Sequence, residues 1–143
     1  MSKSDTFEND LLKLIFNATA IANLADNAAS SPLTNLYVAL HTADPGEAGT
    51  QSTSEISYTG YARVAVARTS GGWTVVGNSV SPNADISFPI STGGTGGTAT
   101  HASVGVASGG ASKILYSGAL APTIVVTAGV TPIITTGSTV TED

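Results

Sequence analysis

The chain has 143 residues, of which 41% are hydrophobic and only 10% are charged, and its net charge is −5. Five Lys and Arg side chains are too few to build a basic face, which argues against binding to nucleic acid. The absence of cysteine excludes disulfides, thiolate zinc sites and thiol nucleophiles. No signal-peptide pattern and no membrane-length apolar run are visible, so we expect a soluble protein made in the cytoplasm, without a membrane partner.

The first element in chain order is a helix, predicted over residues 5–25. Asp5 would cap this helix, and Glu8 would be its return partner in a capping box. Apolar side chains recur at helical spacing on one face. They are Phe7, Leu11, Leu14, Ile15, Ala18, Ile21, Ala22 and Ala25, and the face is widened by Leu12 and Phe16.

The rest of the chain predicts about eight short strands, separated by turns rich in Gly, Pro and Ser. A turn near Gly77-Asn78 joins two of them in a hairpin. No helical pattern follows the first one, which argues against a parallel α/β fold. We therefore predict a mainly β single domain, an antiparallel β-sandwich or jelly roll (35–143), preceded by the helix (1–26) and a connector (27–34).

Charged side chains are nearly absent from residues 69–140, where Asp85 and Lys113 are the only two. A freely diffusing monomer generally uses surface charge to stay soluble and to protect the edges of its sheets. One interpretation is a Thr- and Ser-rich surface that is solvated through its hydroxyl groups. We favour the other, that much of this surface contacts a protein partner.

The segment NLYVALHTADPGEAG gathers His41, Asp44 and Glu47 within seven residues, which raises the question of a metal or catalytic site. The three residues straddle a Pro-Gly turn, and the only other histidine is His101, far along the chain. We therefore expect Asp44 to form an Asx turn before Pro45. Glu47 should be solvated, and His41 should be hydrogen-bonded locally at the end of its strand.

No enzyme signature is present in the sequence. There is no G-x-S-x-G elbow, and the glycines of residues 93–97 lack the Lys-Ser/Thr ending of a phosphate-binding loop. Four tyrosines and Trp73 leave open a surface for sugars. We expect no catalytic residues, no metal and no cofactor.

The runs LHTADPGEAGTQ, YTGYARV and ISFP resemble a family of small structural proteins from tailed bacteriophages, often labelled tail-fibre-like. The likeness covers the whole chain and is greatest to the capsid-cementing protein of a Bordetella phage. It implies a jelly-roll homodimer on the outside of the virion capsid. There it would bind the assembled major capsid protein and stabilise the shell.

Partner contacts are predicted from the helix and from the loop after the first strand. The predicted contact residues are Phe7, Leu11, Leu12, Ile15, Asp44, Pro45, Glu47 and Tyr58. The helix has two interpretations, because it could pack on an open end of the sandwich or dock into a groove of the capsid protein. The alternative function is a tail-fibre or tail-associated module that binds host receptors, and a small hydrolase is a third possibility.

Overall fold

The computed structural model describes residues 3–21, 24–25 and 32–142, so most of the predicted connector lies outside the described residues. One helix and nine strands form within these ranges. In chain order they are α1 (Asp5–Asn17), β1 (Asn35–His41), β2 (Val64–Ala67), β3 (Trp73–Val76), β4 (Ser79–Pro82), β5 (Ile86–Ser87), β6 (Gly97–Gly105), β7 (Ile114–Val126), β8 (Ile133–Ile134) and β9 (Val140–Thr141). None of the helical structure in the described part is long and apolar enough to cross a membrane.

The strands form three sheets, in the orders β2-β1-β6-β7, β3-β4-β9 and β5-β8. The pairings of β1 with β6, of β6 with β7, of β3 with β4 and of β4 with β9 are antiparallel. This confirms the predicted mainly β class and is consistent with a β-sandwich. The sequence predicts two short strands at KILYSGAL and TIVVTA, and the structure differs there, because Ile114–Val126 form the single strand β7.

The chain divides into two compact units. The helix-bearing unit comprises Met1–Asn35, Val66–Ile86 and Ile134–Asp143, and the sheet unit comprises Leu36–Ala65 and Ser87–Ile133. Each unit is assembled from segments that are distant in sequence. The prediction of a single domain stays a prediction.

Helix α1 begins at Asp5 as predicted, but its N-cap is Ser4 and not Asp5. The Ser4 Oγ accepts a hydrogen bond from the Phe7 N–H at 3.4 Å. Ser4 has the extended backbone that an N-cap requires, whereas Asp5 is already helical. Asp5 and Glu8 instead place negative charge in the first turn, where it interacts favourably with the helix dipole.

The helix ends at Asn17, well before the predicted end at residue 25. Ala18 adopts a left-handed conformation, with φ 55° and ψ 25°, and its N–H donates to the carbonyl of Lys13. That geometry closes a helix C-terminus, and glycine is the usual residue there. Since the chain has alanine at this position, the sequence carries no visible stop signal.

The buried side of α1 also differs from the predicted face. Glu8, Leu12 and Phe16, spaced four residues apart, are the buried side chains, whereas Phe7 is 37% exposed. The Phe16 ring packs edge-on against Trp73 of β3, with ring centroids 4.9 Å apart. The helix therefore rests on the β3–β4 hairpin, whose predicted turn at Gly77-Asn78 is confirmed.

The C-terminal end of α1 is stabilised from outside the helix. The last turn contains no basic residue. Arg68, just after β2, donates from Nε to the Ile15 carbonyl at 2.6 Å and from Nη2 to the Leu14 carbonyl. Carbonyls in the last turn lack partners within the helix, and a cation there also interacts favourably with the helix dipole. Arg68 thus supplies both the missing donors and the missing charge.

Candidate functional site

The candidate site is the contact loop, residues 42–57, which follows β1 in the sheet unit. The ends of the loop lie side by side, because the Thr42 N–H donates to the Ser54 carbonyl at 2.8 Å. The Ile56 N–H likewise donates to the Leu40 carbonyl at 2.9 Å. A loop with joined ends and its own internal bonds presents a defined surface.

The outer part of the contact loop is a tight turn. The Asp44 Oδ1 accepts a hydrogen bond from the Gly46 N–H at 2.9 Å, which confirms the predicted Asx turn. The Gly49 N–H donates to the Gly46 carbonyl at 3.1 Å. A Cβ at Gly49 would lie 2.0 Å from the Pro45 carbonyl oxygen, so only glycine fits there.

His41 lies fully buried at the end of β1. Its Nδ1 is 2.8 Å from the Thr53 carbonyl, which can only accept, so Nδ1 carries the proton. Its Nε2, 2.8 Å from the Ser103 Oγ, then accepts from that hydroxyl. Burial lowers the pKa of His41 below 6.5. The prediction of local hydrogen bonding at the strand end holds for Thr53 but is wrong for the second partner, because Ser103 lies 62 residues away on β6.

The Ser103–His41 pair has the separation of a nucleophile and its general base. A working nucleophile must also meet its substrate, and Ser103 is only 2% exposed. Ser103 lies within β6, directly opposite Ala39 of β1. The pair is therefore suited to joining two strands and the contact loop through a polar bridge.

Arg63 is the centre of a larger buried cluster, the Arg63 network. Its Nε and Nη2 donate to the two carboxylate oxygens of Glu55, each at 2.8 Å. Its Nη1 donates to the Ser112 Oγ at 2.9 Å, and its Nη2 also donates to the Gly110 carbonyl at 2.8 Å. The bond with Glu55 raises the pKa of Arg63 above its usual value. A bidentate ion pair of this kind fixes the orientation of both side chains.

Two further side chains complete the Arg63 network. The Tyr61 hydroxyl donates to Glu55 Oε1 at 2.9 Å and accepts from the Leu40 N–H at 3.1 Å, and burial raises the pKa of Tyr61 well above its usual range. Gln51 is fully buried, and its Nε2 donates to the Tyr37 carbonyl at 2.8 Å. The contact loop is thereby bonded to β1, to Tyr61 and Arg63, and to residues 107–112.

The predicted contact residues of the loop do not share one environment. Asp44 and Glu47 are exposed, and Glu47 thus fits the predicted solvated position. Pro45 is buried, and so is Tyr58, whose hydroxyl donates to the Pro89 carbonyl at 2.8 Å. Two of the four are accessible to a partner, whereas the other two are buried.

The predicted contact residues of the helix are likewise divided. Leu12 is fully buried, Leu11 and Ile15 are half-buried, and Phe7 is the most exposed of the four. Apart from His41, sequence reasoning missed the buried polar residues of the sheet unit. Arg63 and Glu55 are eight residues apart with no fixed motif, and Gln51 lies in a run of hydroxyl residues, so nothing in the local pattern marks them as buried.

A comparison with known families identifies the chain. The family model described as "Podophage GP4 fiber I protein gp80" matches residues 2–142. The chain belongs to this family. It is therefore a bacteriophage structural protein, and the predicted resemblance is confirmed at that level. No curated protein sequence matches the chain. The likeness to a cementing protein stays a prediction.

Proposed function

We propose that this chain is a non-enzymatic structural subunit of the phage particle, which binds other virion proteins through a nearly uncharged β surface. The match of residues 2–142 to a phage fibre protein family is the observation that carries the proposal. Burial of the Ser103–His41 pair supports a role without catalysis, because a substrate cannot reach Ser103 Oγ while β6 is intact. A screen with generic esters and glycosides should give no turnover. Turnover that is lost in His41→Ala would contradict this.

The composition of the surface supports extended protein contacts. Within residues 69–140, where charge is nearly absent, Val76, Ile90, Val125 and Ile133 are large apolar side chains that are 43–71% exposed. An interface formed by such residues and by hydroxyl groups forms without the cost of desolvating charged groups. Many modest contacts of this kind, repeated over a symmetric particle, add up to a stable assembly.

The first position that we propose is the exterior of the capsid, as a cement or decoration protein. A protein that binds the assembled shell but not its free subunits stabilises the shell by mass action. The contact loop suits this task, since the Arg63 network holds it in one conformation before binding. A preformed loop avoids the entropy cost of ordering at the interface.

The second position is the tail or a fibre, and the family description is the observation that favours it. In that role the same surface would join neighbouring fibre subunits or contact a host receptor. The exposed Asp44 and Glu47 would then be candidates for receptor contacts. Binding to an array of host-surface glycans would support a receptor role.

Quantitative mass spectrometry of purified virions separates the two positions. A copy number comparable with that of the major capsid protein would support cementing. A much lower copy number, as expected for the few subunits of a tail or fibre, would support the second position. Absence from the particle would contradict the structural proposal itself. Co-sedimentation with particles stripped of the protein then tests the contact loop. Glu47→Gln should bind more weakly than Ser108→Lys, which changes the charge by the same single unit at an exposed residue outside the loop.

A further inference from the structure

The contact loop returns to the sheet through three consecutive residues, 53–55, which we call the latch. The Thr53 carbonyl accepts a hydrogen bond from Nδ1 of the buried His41 at 2.8 Å. The Glu55 carboxylate is held by Nε and Nη2 of Arg63, each at 2.8 Å. The two outer residues of the latch are therefore attached to the sheet unit by side chains that lie outside the loop.

The middle residue of the latch has a strained backbone. Ser54 has φ 53°, in the left-handed region that a residue with a Cβ adopts at an energetic cost. Its side chain is exposed, so the conformation is imposed through the backbone. The Ser54 carbonyl accepts from the N–H and from the hydroxyl of Thr42, at 2.8 and 3.2 Å. A residue of this kind keeps its conformation only while its neighbours are held in place.

The bond between His41 and Ser103 depends on the charge of the imidazole ring. Nδ1 carries a hydrogen in the neutral tautomer found here and in the cation, so it can donate to Thr53 in both states. Nε2 accepts from the Ser103 hydroxyl at 2.8 Å only while the ring is neutral, because in the cation it becomes a donor. The other polar group described beside this hydroxyl is Gln51 Nε2 at 3.5 Å, which is also a donor. Protonation therefore leaves the hydroxyl hydrogen of Ser103 without an acceptor among these groups.

The surroundings of His41 are also poorly suited to a positive charge. The ring is fully buried, and burial lowers its pKa. The ionisable groups that face the ring are Glu55 of the contact loop, Arg63 of the segment before β2, and His101 of β6. His101 lies directly opposite His41 in the β1–β6 ladder, and like charges at opposed positions destabilise a sheet. Glu55 is the one anion in this set, and Arg63 already binds both of its oxygens. A protonated His41 would therefore be buried without a counter-ion of its own.

We propose that residues 53–55 are an acid-sensitive latch, in which protonation of His41 releases the contact loop from the sheet. The lost Ser103 bond and the uncompensated charge loosen the attachment of Thr53, and relaxation of Ser54 then favours the open loop. The opening is local, because the β1–β6 ladder keeps its backbone pairing. The latch stands independently of the proposed function. Its use, a contact loop that releases its partner in acid, rests on that function.

Hydrogen exchange of single amides between pH 7.5 and pH 5 tests the latch. The Thr42 N–H donates to the Ser54 carbonyl and the Ile56 N–H to the Leu40 carbonyl, so both amides are protected only while the loop is closed. Their protection factors, which correct for the intrinsic pH dependence of exchange, should fall as the pH drops below the folded pKa of His41. A single proton limits this fall to about tenfold per pH unit.

Two controls separate local opening from general unfolding. The Phe88 N–H donates to the Pro132 carbonyl at 2.9 Å, elsewhere in the sheet unit, and should keep its protection over the same pH range. The His41→Asn variant cannot take up a proton at this position. In this variant the Thr42 amide should be less protected at pH 7.5 than in the wild type, and its protection should no longer depend on pH.

A pair of glycine variants tests the strain. Ser54→Gly removes the Cβ from a residue with positive φ and leaves the carbonyl that Thr42 binds. It should therefore protect the Thr42 amide several-fold more strongly at every pH. Ser52→Gly is the matched control, since Ser52 is an exposed serine of the same loop without positive φ. Glycine at that position only adds freedom to the open loop, so the protection should fall.

Three results would overturn the proposal. One is a Thr42 amide whose protection is constant from pH 7.5 to pH 5, or falls equally in His41→Asn. Another is a Phe88 amide that loses protection in parallel, since the unit then unfolds as a whole. The third is a Ser54→Gly variant that is less protected than the wild type, like Ser52→Gly. None of these measurements uses phage particles, so a latch that opens in a chain absent from the virion would contradict the proposed function and not the latch.

Discussion

The two units of this protein are stabilised by different kinds of core. In the helix-bearing unit, the described contacts centre on apolar and aromatic packing, with Phe16 against Trp73 and Leu12 fully buried. In the sheet unit, charged and polar side chains are buried beside the apolar ones, above all Arg63 and Gln51. Apolar packing depends weakly on direction, whereas a hydrogen-bonded network specifies one geometry. The polar core lies where the contact loop has to keep one shape.

The aromatic residues allow each unit to be followed separately. Trp73, the only tryptophan, lies in the helix-bearing unit, whereas all four tyrosines, at 37, 58, 61 and 116, lie in the sheet unit. Tryptophan fluorescence and tyrosine near-ultraviolet circular dichroism therefore report on different units. If the chain is one cooperative domain, as its sequence predicts, both signals will follow the same urea transition. Two separated transitions would contradict that prediction.

The largest effect is expected from the apolar core. Phe16→Ala removes a fully buried ring that packs on Trp73 and should lower the free energy of unfolding by about 4 kcal/mol. Urea denaturation followed by tryptophan fluorescence measures this loss. Phe7→Ala, on the same helix but 37% exposed, is the matched control and should cost less than about 1 kcal/mol. Similar losses in both variants would show that the buried side of the helix is wrongly assigned.

The polar core should be almost as sensitive. Arg63→Met leaves the Glu55 carboxylate without its ion pair and the Gly110 carbonyl without its donor, at a cost of about 3 kcal/mol in unfolding free energy. The tyrosine signal in a urea titration checks this. Arg63→Lys is the comparison, because it keeps the charge but not the bidentate geometry. It should therefore recover only part of the lost unfolding free energy. Full recovery with lysine would argue that charge alone holds the contact loop.

Acidification should weaken the sheet unit through His41. Its folded pKa is lowered by burial, so the unfolded chain binds the proton more readily. The stability contributed by neutral His41 is fully present above about pH 6.5, the unfolded value, and is lost as the pH falls towards the folded pKa. The other ionisable groups that act on the ring are Glu55, Arg63 and His101.

Urea midpoints measured between pH 7.5 and pH 5 test this, with the slope limited to about 1.4 kcal/mol per pH unit for a single proton. His41→Asn should flatten the dependence, even though it lowers stability overall. An unchanged slope in His41→Asn would assign the effect to other groups.

The smallest effect is expected at the N-terminus of the helix. Ser4→Ala removes the cap on the Phe7 N–H, a bond of 3.4 Å at an exposed position, and should cost about 0.5 kcal/mol. Thermal unfolding followed by tryptophan fluorescence is sensitive enough to detect this. Asp5→Asn removes no cap and should cost less. The reverse order would restore Asp5 as the N-cap that the sequence suggested.

Local patterns predicted part of this structure. The helix start, the hairpin at Gly77-Asn78 and the Asx turn at Asp44 depend on neighbours within a few residues, and all three are found. The helix end at Ala18 was missed because alanine rarely adopts positive φ. The Arg63 network was missed because it joins residues up to 61 positions apart, a distance at which sequence periodicity carries no information.

Arg68 has a consequence for how the protein is made. It completes the last turn of α1 although it lies 53 residues beyond Ile15. A helix of 13 residues is marginal by itself in water, and this one also lacks Trp73 until still later in synthesis. During synthesis on the ribosome, the N-terminal segment therefore cannot form its complete set of helix contacts until these residues have been added to the chain. The first element in sequence thus reaches its final form only after the first half of the chain, through Trp73, has been made.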